Sequence, residues 1–334
     1  MRNYLGKHLT RLLRQRLSKR VLGFYALQKI LDPADRLLSI ILAKLKPFPQ
    51  PAEIFYPPVF IIGLPRSGST LLYQYLSLVL QVTYISNAWA LLPRSGAYVF
   101  PGHTLPPADF QSFYGNSGYL LGPQEGGSIF AQWFRQNEHH FVDDLPIDLK
   151  QRMRAYFETV SATGQRPWLI KNSPNAIRIQ ALKAVFPEAR YIRLRRDLLL
   201  IAQSIIEGRI RLTGDPHKNF TVRPKEWNMI KSLPYPRQVA RQIHYIEAQI
   251  EQDLSTIPAE HVLTYNYHDF CQSPFEFVNA ICDEFPFIRQ KPDITFELKE
   301  ITFKAAVNLR LEANILSQIT DELANMTNTN EVNN

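Results

Sequence analysis

Val59-Phe60-Ile61-Ile62-Gly63-Leu64-Pro65-Arg66-Ser67-Gly68-Ser69-Thr70 is the stretch whose reading settles the fold. Its first four residues form an apolar run without alternation, as expected of a strand buried on both faces of a parallel sheet. A loop with two glycines follows and delivers the chain into the helical stretch Ser69–Leu80. The spacing from Gly63 to Thr70 is that of a P-loop, and a strand before it with a helix after it is the confirming context. Backbone N–H groups of such a loop, together with the positive end of the helix dipole, make a nest for an anion. The residue before Thr70 narrows the choice of anion, because a nucleotide triphosphatase carries lysine there and this chain has Ser69. The cation sits inside the loop as Arg66, whose planar donors suit phosphate or sulfate oxygens held without a metal. No apolar strand ends in an obvious magnesium-binding Asp, so metal-assisted triphosphate chemistry lacks two of its parts.

Outward from that loop, Trp168-Leu169-Ile170, Arg190-Tyr191-Ile192-Arg193-Leu194 and His261-Val262-Leu263-Thr264 read as further strands, each followed by a helical pattern. The alternation implies an α/β fold, a P-loop-type mostly parallel sheet flanked by helices, with ligands beyond the carboxyl ends of the strands. Three regions are expected: a helical arm over residues 1–50, the P-loop domain over 51–315, and a disordered tail rich in Asn, Thr and Glu over 316–334. Within the arm, Asp32-Pro33 has the form of an N-cap and first helical residue, opening a second N-terminal helix that runs through Leu45 to the Pro47–Pro58 linker. Pro93–Gly127, rich in Gly, Pro, Ser and Tyr, is a long irregular insertion, the kind of loop that carries function.

The net charge of +8 is unevenly placed. Residues 1–50 hold 11 Lys/Arg against 2 Asp, which leaves 27 Lys/Arg and 28 Asp/Glu for the rest of the 38 and 30. The body is therefore nearly neutral, which argues against nucleic acid as a partner. In the arm, Leu5, Leu9, Leu12, Leu13 and Leu17 recur at helical spacing among Arg11, Arg14, Arg16, Lys19 and Arg20. Residues 1–20 thus describe a basic amphipathic helix, which either lies on an anionic membrane surface or packs on the body with a solvated basic face. The arm lacks the apolar core and cleavage site of a signal peptide, and no run of uncharged apolar residues is long enough to span a bilayer. A cytoplasmic protein, at most peripheral to a membrane, is the expectation. Cys271 and Cys282 have no metal-site spacing and read as reduced core thiols.

A second signature lies where the 191–194 strand runs into Arg195-Arg196-Asp197 and the helix beginning at Leu198. Ser204 falls about two helical turns beyond Arg196, so the two side chains converge and can bracket a second phosphate. Gly63–Thr70 resembles the 5′-phosphosulfate loop of the sulfotransferases that use 3′-phosphoadenosine 5′-phosphosulfate (PAPS), in the version found in protein-tyrosine and many bacterial members. The Arg196 and Ser204 pair resembles that family's 3′-phosphate motif. Lys171-Asn172-Ser173-Pro174 is similar to its lysine-proline element, and Tyr267-His268-Asp269-Phe270 with Pro274 to its later segment near the adenine. The four motifs keep the family's order across residues 59–284.

The resemblance implies PAPS as co-substrate and no metal. It implies that Arg66, Ser67, Gly68, Ser69 and Thr70 hold the sulfuryl or 5′-phosphate oxygens, that Arg196 and Ser204 hold the 3′-phosphate, and that Tyr267 lies by the adenine. Lys171 would neutralise the leaving oxygen. Two departures stand out: Leu198 follows Asp197 where the family usually has Pro or Gly, and Ile85-Ser86-Asn87-Ala88-Trp89 lacks the glutamate that serves the tyrosine enzymes as base. The base must come from elsewhere. Glu125, in the glycine-rich Gly122–Gly127 segment, is the first candidate and His103 the second. Glu138, His139 and His140 lack metal-ligand spacing. The acceptor is expected to be a hydroxyl-bearing small molecule, a glycan, a lipid or a phenol. A P-loop nucleotide kinase or hydrolase is the rival enzyme, and a non-catalytic, membrane-associated adaptor with an anion-binding fold is the rival of another class.

Overall fold

All four side chains of the Val59–Ile62 run are buried, and the physical reason is a sheet covered on both faces. The computed structural model describes residues 19–45, 56–99, 110, 112–113, 116–117, 120–134 and 145–332. Its main sheet has four strands, β1 (Val59–Ile62), β2 (Leu169–Lys171), β3 (Arg190–Arg195) and β4 (Val262–Asn266), in the order β2-β1-β3-β4. Every pairing is parallel, with Val59 opposite both Leu169 and Arg190 and Arg193 opposite Thr264. All four carboxyl ends therefore open on one edge.

The principal helices are α1 (Lys19–Leu45), α2 (Ser69–Val79), α3 (Ile147–Gly164), α4 (Ile179–Val185), α5 (Leu198–Thr213), α6 (Tyr235–Leu254), α7 (Pro274–Glu284) and α8 (Ala313–Val332). Alternate strand residues enter two separate cores. Phe60, Ile62, Ile170 and Tyr191 pack with Phe157 of α3, Leu182 of α4, Ile201 of α5 and Ile246 of α6. Val59, Ile61, Leu169 and Ile192 pack with Leu72 and Leu76 of α2 and Phe277 of α7 on the other side. Residues 83–86 run along the outer edge of β2: the Thr83 N–H donates to the Pro167 carbonyl, and the Leu169 N–H to that of Thr83, both at 2.8 Å.

The structure corrects two expectations about the chain ends. Helix α1 is continuous and has Pro33 inside it, so Asp32 and Pro33 do not start a second helix. The Asp32 carboxylate instead accepts from Arg36 at 3.1 Å and Arg94 at 2.8 Å. A proline in a helix interior removes one backbone bond. Contacts on both sides of it hold the axis: Gln28 donates to the Ala90 carbonyl, and Asp35 accepts from the Ser95 amide at 2.9 Å and hydroxyl at 2.7 Å. The second correction concerns residues 316–334, expected to be disordered. Up to Val332 they belong to α8, whose Ile319 is buried and whose Glu322 carboxylate is gripped by Arg237 and Arg241 of α6. Ile315, Ile319 and Leu323 recur at helical spacing toward the core, so the polar composition describes only the outer face. The arm helix expected over residues 1–20 lies outside the described residues, apart from Lys19 and Arg20, which begin α1. His103 and Glu138, His139 and His140 also lie outside them.

Candidate active site

The loop after β1 turns into α2 through Gly68, which has φ +95°. A Cβ at that position would collide with the ring of Tyr267, so glycine is required by both conformation and contact. Arg66 also takes a positive φ, 72°, a strained conformation for a residue with a side chain. The backbone N–H groups of Ser69 and Thr70, the first two residues of α2, have no backbone acceptor among the described residues. The Ser67 side chain is fully buried, and its Oγ has no hydrogen-bond partner among the described residues. These donors stand at the positive end of α2, the arrangement of orphan amides and dipole that suits an anion.

The Arg196 end of β3 meets this loop directly. Arg66 Nε donates to Ser204 Oγ at 3.0 Å, and Arg196 Nη1 donates to the Arg66 carbonyl oxygen at 2.9 Å. The Arg196 guanidinium stacks over the Tyr267 ring, 4.8 Å from its centroid. Asn266 places that ring by capping the short helix Tyr267–Gln272, its side chain accepting from the His268 N–H at 2.8 Å. Burial, reinforced by neighbouring Cys271 and opposed by Arg196, pushes the Tyr267 phenol up to about 12, so the ring is neutral at physiological pH. The departure at Leu198 is accommodated by a different cap: Asp197 Oδ1 accepts from the Leu200 N–H at 2.9 Å and starts α5, which carries Ser204.

Lys171, at the carboxyl end of β2, is the hub of a second cluster. Its side chain is only 5% exposed and forms an ion pair with Glu125. Its Nζ also reaches Thr70 Oγ1 at 3.3 Å and Ser173 Oγ at 3.1 Å, which ties the anion loop to the carboxylate. Ser173 donates to Glu125 from its backbone N–H at 3.1 Å and from its hydroxyl at 3.2 Å, while Asn172 Nδ2 donates to the Glu125 carbonyl at 2.9 Å. Strand-like pairing delivers the carboxylate here. The Gln124 N–H donates to the Ile85 carbonyl at 2.8 Å and the Asn87 N–H to that of Gly122 at 3.0 Å. Gly126, with φ +67°, then turns beneath the Ile85 side chain, where a Cβ would not fit. Ile85–Trp89 lacks a glutamate of its own, but Glu125, 36 to 40 positions further along the chain, stands against that same segment.

A family model for sulfotransferases matches residues 57–286. The chain belongs to the sulfotransferase family. Sulfotransferase STF9 from Mycobacterium avium resembles it over 92% of this chain and 76% of its own, with 15% identity and a TM-score of 0.51, a likeness that speaks for the fold. Sulfotransferase STF1 from Mycobacterium tuberculosis H37Rv aligns over 90% of this chain and 80% of its own at 13% identity, with a TM-score of 0.45. For a sulfotransferase from Alicyclobacillus acidocaldarius the values are 81%, 92% and 14%, with a TM-score of 0.42. Comparison with curated proteins gave no match.

Within this sulfotransferase, the structure brings Arg66, Gly68, Arg196, Ser204 and Tyr267 into one continuous set of contacts. It brings Thr70, Lys171 and Glu125 into another. His103 alone among the candidates lies outside the described residues. Sequence reading overlooked Ser173 as a partner of both Lys171 and Glu125, although it stands two residues after the lysine. It also overlooked the extended segment after Ile301. Arg196 Nη2 lies 3.5 Å from the Ala306 carbonyl, Gln203 donates to that of Asn308 at 3.2 Å, and Arg310 pairs with Glu207 at 2.9 Å. That strap lies against Arg196 and α5 and carries no motif that would announce it.

Proposed function

We propose that this sulfotransferase takes the sulfuryl group from PAPS and transfers it in line to an acceptor hydroxyl. The observation that carries the reading is the contact of the two anion-binding elements: Arg66 bonds to Ser204, and Arg196 bonds to the Arg66 carbonyl. A donor with phosphates at both ends of an adenosine needs two cationic sites facing one crevice. The residues fit it on further counts, namely the orphan amides at the start of α2, the buried Ser67 hydroxyl and the Tyr267 ring lying between Gly68 and Arg196. PAPS, when bound, supplies the activated sulfuryl group.

The chain's own residues then have distinct tasks. Arg66, Ser69 and Thr70 bind oxygens of the 5′ group, with Ser67 and Gly68 shaping the cradle. Arg196 and Ser204 bind the 3′-phosphate, and Tyr267 flanks the adenine. Lys171 neutralises charge on the leaving oxygen from Nζ, positioned for this by its bond to Thr70. Glu125 accepts the acceptor's hydroxyl proton on its carboxylate, and its bonds to Ser173 hold it at the wall of the crevice. The acceptor is a glycan, lipid or phenol hydroxyl.

The test is incubation with PAPS carrying labelled sulfate and cell extract, followed by separation of lipid, glycan and protein fractions. Label in one fraction, lost in Arg66→Ala, is the expected result. Turnover of ATP with magnesium would instead establish the kinase or hydrolase reading. Thermal stabilisation by 3′-phosphoadenosine 5′-phosphate without transfer to any fraction would establish the adaptor.

A further inference from the structure

Helix α1 carries an apolar stripe turned away from the protein. Leu27, Ile30, Leu37, Ile41 and Leu45, with Ala34 between them, recur at the three- and four-residue spacing of one helix face. Ile30 is 73% exposed, Leu37 62% and Leu45 73%. With Ile40, this helix holds six of the fourteen exposed large apolar side chains among the described residues. Apolar side chains thus also occupy a face that the body does not cover. The side facing the body is mixed: Phe24, Leu31, Leu38 and Leu42 are half-buried there, Gln28 and Asp35 are buried against Ala90, Arg94 and Ser95, and Asp32 pairs with Arg94.

The charges on α1 are sorted in the same sense. Its two acidic residues, Asp32 and Asp35, are both engaged with Arg94. Lys29 and Lys44 are exposed, whereas Arg36 is paired with Asp32. Residues 1–20, which run directly into α1, add seven Lys/Arg and no acidic residue. The outer face of α1 is thus apolar with exposed lysines, and the sequence from Met1 to Leu31 contains no acidic residue. No helix among the described residues is long and apolar enough to cross a membrane.

We propose that the outer face of α1 docks on a lipid bilayer with anionic headgroups, lying in the interface with Leu27, Ile30, Leu37, Ile41 and Leu45 toward the acyl chains. Charge complementarity selects this occupant. A second copy of the chain would bring one cationic face against another, whereas an anionic surface attracts the lysines beside the stripe. The polar anchoring of Gln28 and Asp35 fixes the opposite face to the body, so the stripe is presented without the helix having to rotate.

The experiment is co-sedimentation of the full chain with vesicles of phosphatidylcholine alone and with about a third phosphatidylglycerol, for wild type and two variants. Leu37→Glu/Ile41→Glu changes the stripe, and Lys29→Glu/Lys44→Glu changes its cationic border. The proposal expects binding to the anionic vesicles only and a bound fraction at least about tenfold lower in the stripe variant. Binding should weaken in the charge variant and with added salt, and both variants should keep the wild-type thermal midpoint. Three results would overturn it. One is absence of wild-type binding to anionic vesicles. Another is undiminished binding by the stripe variant, which would assign contact to residues 1–18. The third is a wild-type dimer in velocity sedimentation that the stripe variant dissolves.

Discussion

Arg66 and Ser204 are 138 positions apart in sequence and joined by a 3.0 Å hydrogen bond. Arg196 closes a triangle by donating to the carbonyl of Arg66 at 2.9 Å. The loop after β1 and the start of α5 are therefore one binding surface, and a substitution in either is felt by the other.

Ser204→Ala should weaken binding of 3′-phosphoadenosine 5′-phosphate about tenfold and Arg196→Ala about a hundredfold, as loss of one neutral and one charge-assisted bond would do. Because Ser204 also orients Arg66, the cost of Arg66→Ala should be smaller in the Ser204→Ala background than in wild type. Titration calorimetry on the two single variants and the double reads this directly, and strict additivity would count against a shared surface.

Gly68→Ala places a methyl group against the Tyr267 ring at a backbone angle that disfavours any side chain. The positive φ alone costs about 1 kcal/mol, and the collision adds to it. A lowered denaturant midpoint and lost nucleotide-induced stabilisation are expected. Retention of both would mean that the ring moves aside without cost.

Glu125→Gln keeps one accepting oxygen for Lys171 and the Ser173 hydroxyl, gives up the oxygen that accepts from the Ser173 N–H, and cannot take a proton. Turnover should fall at least about a hundredfold with nucleotide affinity unchanged. Both Glu125 oxygens are engaged by Lys171 and Ser173, which favours a second reading in which Glu125 positions the lysine. In that case Gln would retain most turnover, while Ala would lose it.

Glu322 reports on how α8 is held. Burial works against its ionisation, but hydrogen bonds and charge from Arg237 and Arg241 outweigh it and hold the carboxyl below its ordinary 4.5. With the folded value lowered, the folded state binds fewer protons than the unfolded one. The stabilisation is therefore complete above about 4.5 and lost as pH falls through the folded value. Hydrogen exchange in Ala313–Asn325 should accelerate over that acid window. Glu322→Gln should cost about 1 to 3 kcal/mol near neutrality and flatten the dependence. Unchanged exchange in the variant would show that Ile319 alone docks the helix.

Much of the Arg66–Ser204 half of the candidate site was readable as motifs because its signals are local. A glycine at a sharp turn, an arginine within the loop and a serine two turns beyond a strand end are set by spacing along one or two elements. Tyr267 was readable as a motif residue, but its contacts with Gly68 and Arg196 were not. The strap through Ala306, Asn308 and Arg310 left no trace, since beyond the Arg310–Glu207 pair it bonds through the Arg310 N–H and through the carbonyls of Ala306 and Asn308, each an ordinary backbone group. Every residue has one, so composition cannot mark which are used. Glu125 was legible as a carboxylate in a glycine-rich loop. Its attachment to Lys171 depends on residues 122–124 pairing with 85–87, a long-range event.

By itself the chain determined the β1–loop–α2 unit, the parallel sheet and the anionic character of what the loop can hold. Short-range sterics, hydrophobic periodicity and helix-end electrostatics impose these wherever such residues occur. Tertiary structure alone decided that α1 passes through Pro33, that α8 is ordered on α6, and that Glu125 meets Lys171. Each of these depends on partners 46 to 85 residues away, namely Arg94 and Ser95 for Asp35, Arg237 and Arg241 for Glu322, and Lys171 for Glu125. Local propensity in a proline-bearing or Asn-rich segment is too weak to foretell the outcome, because its conformation is stabilised only after those distant side chains arrive.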